Sequence, residues 1–323
     1  MFNDTLNALR YPIWQAPTSR IAGPELAAAV SAAGGMGSMG VTWTEPGLAA
    51  EQVRQVRAAT SNPFFVNFAL AFPPDALDAC LEAGAPVVTF SWGDPSPYLE
   101  KVRAAGAAAG VQVTTVAGAK RAVAQGASFL ICQGCEAGGH VQSSTSLWDL
   151  LPRIVEATGG IPVIAAGGIA TGELVARALK LGAMGALLGT RFVATRESRA
   201  HPDYKQKLIE AKGNSTALTV CFEAGWPYSA QRVLRNSTLE AWESAGSPPI
   251  GSRPGEDDVI AAYDDGDPIL RYQGTEPREG MTGNIEAMCL YSGTGSGAIE
   301  DLPPAGELVE RLWRECEAAL PRG

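Results

Sequence analysis

The chain has 323 residues, with 46% hydrophobic and 18% charged content, which is the composition of a folded globular protein and not of a disordered one. A formal charge of −9 excludes a nucleic-acid binder, whose phosphate partners demand clustered Lys and Arg, and no apolar run approaches the roughly eighteen residues that crossing a bilayer needs. Met1-Phe2-Asn3-Asp4 lacks a basic region followed by an apolar stretch, and the six cysteines (Cys80, Cys132, Cys135, Cys221, Cys289 and Cys316) form no disulfide framework, so a reduced, cytoplasmic protein is expected.

From the start to residue 213, short apolar runs alternate with helix-patterned stretches. The run 12–17 (PIWQAP) is followed by a helix over 24–33, then a glycine-rich run 35–40 (GMGSMG) and a helix over 45–59. Next come 64–70 (FFVNFAL), a helix over 74–83, 87–92 (VVTFSW) and a helix over 96–105. Runs 111–116 and 128–134 precede a helix over 150–158; run 161–168 (IPVIAAGG), a helix over 172–181 and run 185–192 complete the series. Several runs are apolar on both faces, as parallel strands covered by helices must be. Such a strand–helix cycle, repeated eight times, predicts an α/β fold of the (β/α)₈ TIM-barrel type. The glycine pattern at 35–40 formally matches a dinucleotide fingerprint but opens a strand, not a helix, which argues against that role. Residues 214–285, rich in Pro, Gly, Asp and aromatics, read as a small cap or appended unit. Residues 286–323 read as a returning segment, with an amphipathic helix over 307–320 that packs on the barrel.

In a barrel the chemistry sits at the C-terminal strand ends. Gly167 and Gly168 after the seventh run, and Gly189 and Thr190 in the eighth, occupy the two turns where barrels commonly hold a phosphate, and glycine lets backbone N–H groups approach an anion. After the sixth run, Gln133 is followed by Gly138, Gly139 and His140; with only two histidines in the chain, His140 is the candidate acid–base group. His201, beside Pro202 in a polar stretch, reads as surface. Asn67 within an apolar run must find a partner in a neighbouring strand or a ligand. Cys132 and Cys135 form a lone CxxC without a second ligand pair or a redox context; they are expected to be small residues at a buried strand end, and no metal is expected.

The stretches PIWQAP, PELAAAVSAAGGMGSMG, FFVNFAL, CQGCEAGGH, IPVIAAGGIATG, GALLGTRFVATRES and YSGTGSGAI together resemble the nitronate monooxygenase family, formerly called 2-nitropropane dioxygenases. The resemblance implies FMN as cofactor, a TIM barrel with an added segment, and oxidation of alkyl nitronates by O₂ to a carbonyl compound and nitrite. By motif match, Ala16, Pro17, Asn67, Gln133, Gly138, Gly139, Gly167, Gly168, Leu187, Leu188, Gly189 and Thr190 would contact FMN. His140 would be the active-site histidine, and Tyr291 would line the pocket mouth. The chain departs from the family at Thr18-Ser19-Arg20, in a turn that faces the flavin, so Thr18 and Arg20 become candidates for the substrate pocket, with Arg20 either pairing an anionic group or facing solvent. The expected partners are a small-molecule substrate and O₂, with no nucleic acid or membrane; the sequence leaves a homodimer open. Rival functions are an FMN-dependent NAD(P)H reductase, acting on an enoyl thioester or a quinone, and a non-redox barrel binding a phosphorylated metabolite.

Overall fold

The computed structural model describes residues 9–213, 215–223, 226 and 229–321, so the leader reading at Met1 to Asp4 and five residues of the 214–285 segment lie outside the described residues. Barrel strands β1 (Ile13–Gln15), β2 (Gly37–Gly40), β3 (Phe64–Ala69), β4 (Val87–Ser91), β5 (Ala108–Val113) and β6 (Phe129–Gln133) come first. A two-residue strand, β7 (Gly139–His140), then leaves the barrel before β8 (Val163–Ala166) and β9 (Gly185–Leu188) complete it. The eight-stranded sheet runs β1-β9-β8-β6-β5-β4-β3-β2, all parallel. It closes through a parallel bridge between Trp14 and Met36, where the Gln15 amide donates to the Met36 carbonyl at 2.9 Å. The fold is a TIM barrel.

Side-chain alternation explains why the strands are apolar on both faces. Trp14, Met36, Phe65, Val87, Phe129, Ile164 and Leu187 point inward and pack together, with Trp14 against Phe65 (centroids 5.7 Å apart) and Phe129 (5.4 Å). Their neighbours Phe64, Val66, Val88, Leu130, Val163 and Leu188 point outward into the larger layer beneath the helices. Higher in the barrel the inward positions turn polar: Phe65 is succeeded by Asn67, Val87 by Thr89, and Ile131 by Gln133. An apolar floor thus carries a polar-rimmed cavity at the C-terminal strand ends.

Two strand expectations are corrected. The fifth strand is β5 (Ala108–Val113), not 111–116, because the Thr115 side chain accepts the Gly118 amide (3.0 Å) and starts the helix Val116–Ala124. The eighth ends at Leu188, after which Thr190–Val193 winds as a short helix. The helix expected over 150–158 begins earlier, as Leu147–Ala157, with Ser146 accepting the Trp148 amide as its cap.

The segment after the barrel holds two small sheets. Strands β10 (Thr216–Thr219) and β11 (Gln231–Leu234) pair antiparallel, and β11 also pairs with β7, setting Gln231 opposite His140. Strand β12 (Val259–Ala262) lies between β13 (Pro268–Leu270) and β14 (Thr282–Gly283). The helix Ala305–Ala319 returns to pack on the helices Gly172–Lys180 and Pro24–Ala32, burying Leu308, Leu312 and Cys316. Among the described residues, no helix is long and apolar enough to cross a membrane.

Gly37 marks the tightest point between a strand and its helix: a Cβ there would come within 2.0 Å of the Ala27 carbonyl oxygen. Because the obstacle is backbone, Gly37→Ala is expected to cost about 1–3 kcal/mol or more through overpacking. A lowered urea midpoint at unchanged m-value would show it, and an unshifted midpoint would refute it.

Candidate active site

A cavity of about 250 Å³ opens at the C-terminal ends of the barrel strands. Ala16, Pro17, Thr18, Asn67, Gln133, Gly138, Gly139, His140, Gly167, Gly168, Leu187, Gly189, Thr190 and Tyr291 all line it. Residues expected from separate strand ends are therefore gathered in one place. Two expected residues are not. Leu188 faces the layer outside the barrel, and its carbonyl is taken by the Ala16 amide at 2.9 Å. Arg20 lies outside the lining: the chain turns into a single helical turn, Ser19–Ile21, which carries the side chain out to the surface, where it donates to the Trp43 carbonyl at 3.2 Å.

One side of the cavity is a glycine cradle. Gly167 (φ 122°) and Gly168 (φ 68°) adopt left-handed backbone that disfavours side chains. A Cβ on Gly168 would come within 2.7 Å of Thr294 Oγ1 and 2.8 Å of Glu136 Cβ. Gly138 sits 2.5 Å, by the same measure, from the Gly293 amide, and Gly295 equally close to the Gly168 carbonyl. The cradle is thus closed by the stretch 293–295 from the far end of the chain. Thr190 Oγ1 fixes this meeting by accepting the Gly293 amide at 3.0 Å. Arg191, next in sequence, points away from the cavity; buried, it pairs with Asp301 at 2.7 Å. The Gly172 amide at the start of the following helix is occupied by the Glu315 carboxylate at 2.9 Å, so the donors facing the cavity come from the turns.

The amides have prior commitments as well. Asn67 Nδ2 donates to Thr89 Oγ1 (2.9 Å) and to the Thr89 carbonyl (3.3 Å), leaving Oδ1 as its acceptor for the cavity. Gln133 reaches across to the loop it precedes, donating to the His140 carbonyl (3.4 Å) and accepting from the Gln142 amide (3.3 Å), so it braces the histidine. Thr18 Oγ1 is buried and has no hydrogen-bond partner, which leaves it available to a ligand.

The opposite side is aromatic. The half-buried His140 ring lies against Trp226 (centroids 4.4 Å apart) and Tyr291 (5.7 Å), and Trp92 meets it edge-on at 6.0 Å. Nδ1 is 2.9 Å from Ser229 Oγ, and Nε2 is 3.4 Å from the Tyr291 hydroxyl, whose own proton goes to the Gly274 carbonyl at 2.8 Å. Burial pulls the His140 pKa down from 6.5 to about 4, so the ring is neutral near pH 7. Burial likewise raises the Tyr291 hydroxyl well above its ordinary value, with the nearby Cys289 and Glu276 adding to the effect, so it stays protonated. Cys132 lies fully buried in β6 with its thiol pushed up to about 12, and Cys135 is outside the lining, so neither thiol serves this cavity.

Sequence reasoning missed Trp92, Trp226, Ser229, Glu276 and Gly295. Trp92 had a signal, since it ends the run 87–92, at the strand end where a barrel places its chemistry; in the structure it stands just after the strand with φ 60°, which a bulky side chain rarely adopts. Gly295 lies in the YSGTGSGAI stretch. The others arrive from the cap segment, which carries no local pattern.

The residues present fit a phosphate-bearing flavin: left-handed glycine turns, an unpartnered buried hydroxyl and a polar rim above an apolar floor. The family model described as nitronate monooxygenase matches residues 3–78 and 74–315. A nitronate monooxygenase of Pseudomonas aeruginosa is 29% identical, over 96% of this chain and 97% of that protein. A (3aS,4S,5R,7aS)-5-hydroxy-7a-methyl-1-oxo-octahydro-1H-indene-4-carboxyl-CoA dehydrogenase of Mycobacterium tuberculosis is 30% identical, over 95% and 93%. Among solved structures, FabK from Thermotoga maritima superposes with a TM-score of 0.80 at 30% identity, covering 98% of this chain and 95% of that one. Nitroalkane oxidase from Streptomyces ansochromogenes gives 0.78 at 29%, covering 97% and 98%. The chain therefore belongs to the nitronate monooxygenase family and is a flavin-dependent oxidoreductase.

Proposed function

We propose that the protein uses FMN to oxidise alkyl nitronates with O₂, giving a carbonyl compound and nitrite, and that it forms the nitronate itself from a neutral nitroalkane. The observation that carries this reading is the neutral His140, walled by Trp92, Trp226 and Tyr291 and facing the glycine cradle. When bound, FMN supplies the redox chemistry with O₂. The turns at Gly167, Gly168, Gly189 and Thr190 would hold its phosphate through backbone N–H groups, with the Thr18 hydroxyl as a further donor. Asn67 Oδ1 would accept from the ring system, and Leu187 with Ala16 and Pro17 would pack beside it.

His140 then moves one proton. With Nδ1–H donating to Ser229 Oγ, the Nε2 lone pair is free, because the Tyr291 hydroxyl directs its own proton to Gly274. Nε2 takes the α-proton of a nitroalkane, and the electron pair left on carbon is delocalised onto the nitro group. The aromatic wall excludes water, and Gln133 holds the histidine backbone in register. A second reading, an NAD(P)H-dependent reductase of an enoyl thioester, draws support from the 30% identity to a relative named as a carboxyl-CoA dehydrogenase.

Anaerobic mixing separates the two. Flavin bleaching by a neutral nitroalkane, without response to NAD(P)H, is expected; bleaching by NAD(P)H alone would replace the proposal with the second reading. His140→Ala should retain bound flavin and lose about 10²–10⁴-fold in kcat/KM on a nitroalkane. Full activity in that variant would remove His140 from the mechanism.

The base works only when neutral, so protonation below a pKa of about 4 switches it off. The acid limb of kcat/KM on a neutral nitroalkane should accordingly fall as pH approaches about 4, with no inflection near 6.5. An inflection near 6.5 would mean a solvated histidine.

Gly168→Ala introduces a side chain where φ is 68° and the space is already filled. The variant should purify with much less flavin than wild type, read as the ratio of visible to ultraviolet absorbance. Full occupancy would place the phosphate elsewhere.

A further inference from the structure

Glu276 is the only charged side chain among the described residues lining the cavity. It reaches the cavity from the loop after β13, and its side chain is only 13% exposed. It pairs with Arg278, whose Nε stands 3.9 Å from Oε1; that Nε makes no hydrogen bond, so the pair is a loose one. The tyrosine hydroxyls of the same lining are spent elsewhere. Tyr204 donates to the Tyr291 carbonyl, and Tyr291 donates to Gly274. The charge is nonetheless felt here, since it helps to raise both tyrosine hydroxyls. Trp92, Trp226 and Tyr291 line the same cavity, and the faces of such rings attract cations and offer anions nothing. Away from the glycine turns, an anionic substrate would meet a carboxylate and aromatic rings, with no Lys or Arg in the lining.

We propose that Glu276 determines specificity: together with the aromatic wall it selects substrates that carry an ammonium group and turns away those that carry a carboxylate. The inference rests on the reading that substrate occupies this cavity, and it extends that reading by naming the charge of the substrate. It also accords with a base that takes a neutral nitroalkane, because a preformed nitronate would have to approach Glu276 as an anion.

Calorimetric titration of the flavin-loaded protein with n-butylammonium, n-butanol and butyrate tests this without turnover, since none of the three carries a nitro group. Wild type should bind butylammonium about tenfold or more tightly than butanol, and butyrate more weakly than either. Glu276→Gln, checked for retained flavin and melting temperature, should bring the three affinities within about twofold of one another. A variant that keeps the ammonium preference would overturn the proposal. So would a wild type that binds butyrate as well as butylammonium, and this comparison decides the case even where the variant fails to fold. Should nitronate oxidation fail while the ammonium preference holds, only the reaction is refuted; oxidation without charge preference refutes only the role of Glu276.

Discussion

The structure depends on filling the bottom of the barrel. Trp14 does most of this: it is fully buried, packs against Phe65 and Phe129, and stands at the bridge to Met36 that closes the ring of strands. Its indole Nε1 is buried without a partner, a cost of about 1–3 kcal/mol that the protein tolerates for the sake of volume. A smaller residue would leave a void between β1 and its neighbours and remove the floor on which a ligand rests. Gly110 serves the same floor from another side, since a Cβ there would strike the Phe129 ring at 2.2 Å. With the floor filled, each strand can turn polar at the same height, and the polar positions of β3, β4 and β6 form a rim.

The second constraint is electrostatic. The lining of the cavity fits a phosphate-bearing flavin, yet no basic side chain among the described residues lines it. The nearby arginines are spent on structure: Arg191 and Arg311 clamp Asp301, and Arg232 donates to the Cys135 carbonyl at 2.8 Å. Binding through backbone N–H groups fixes the position of a phosphate without adding a mobile positive charge beside the histidine. Burial by itself pulls the His140 pKa down and leaves the ring neutral. A cationic cavity would have favoured preformed anions; this one favours neutral or cationic molecules.

How much of this could be read in the sequence follows from which interactions are local. Strands apolar on both faces and glycines that close turns are dictated by neighbours in the chain, and from them the barrel was legible. The Gly167 and Gly168 turn was legible for the same reason, because only glycine tolerates that backbone cheaply. At β5 the β-branched stretch around Thr114 and Thr115 imitates a strand, while the Thr115 cap, which decides the matter, depends on a helix not yet identified. For Arg20 the sequence leaves both a substrate partner and solvent open, because its turn follows a strand end; the helical turn at Ser19–Ile21 carries the side chain to the surface. Trp226, Ser229 and Glu276 stay hidden for a different reason. They converge on His140 and Tyr291 only once the segment after the barrel folds back, and long-range return leaves no periodic trace in the sequence.

That return passes through β7. His140 sits in a strand whose only sheet partner among the described residues is β11, so the histidine belongs to the appended sheet as much as to the barrel loop that leads to it. The consequence is evolutionary. In many barrels the loops above the strands can be exchanged freely, because the catalytic groups remain on the scaffold. Here an exchange that removed β11 would also release His140 from Gln231 and from Ser229. Such an architecture favours divergence in substrate by point changes at the lining over wholesale replacement of the unit that covers the site.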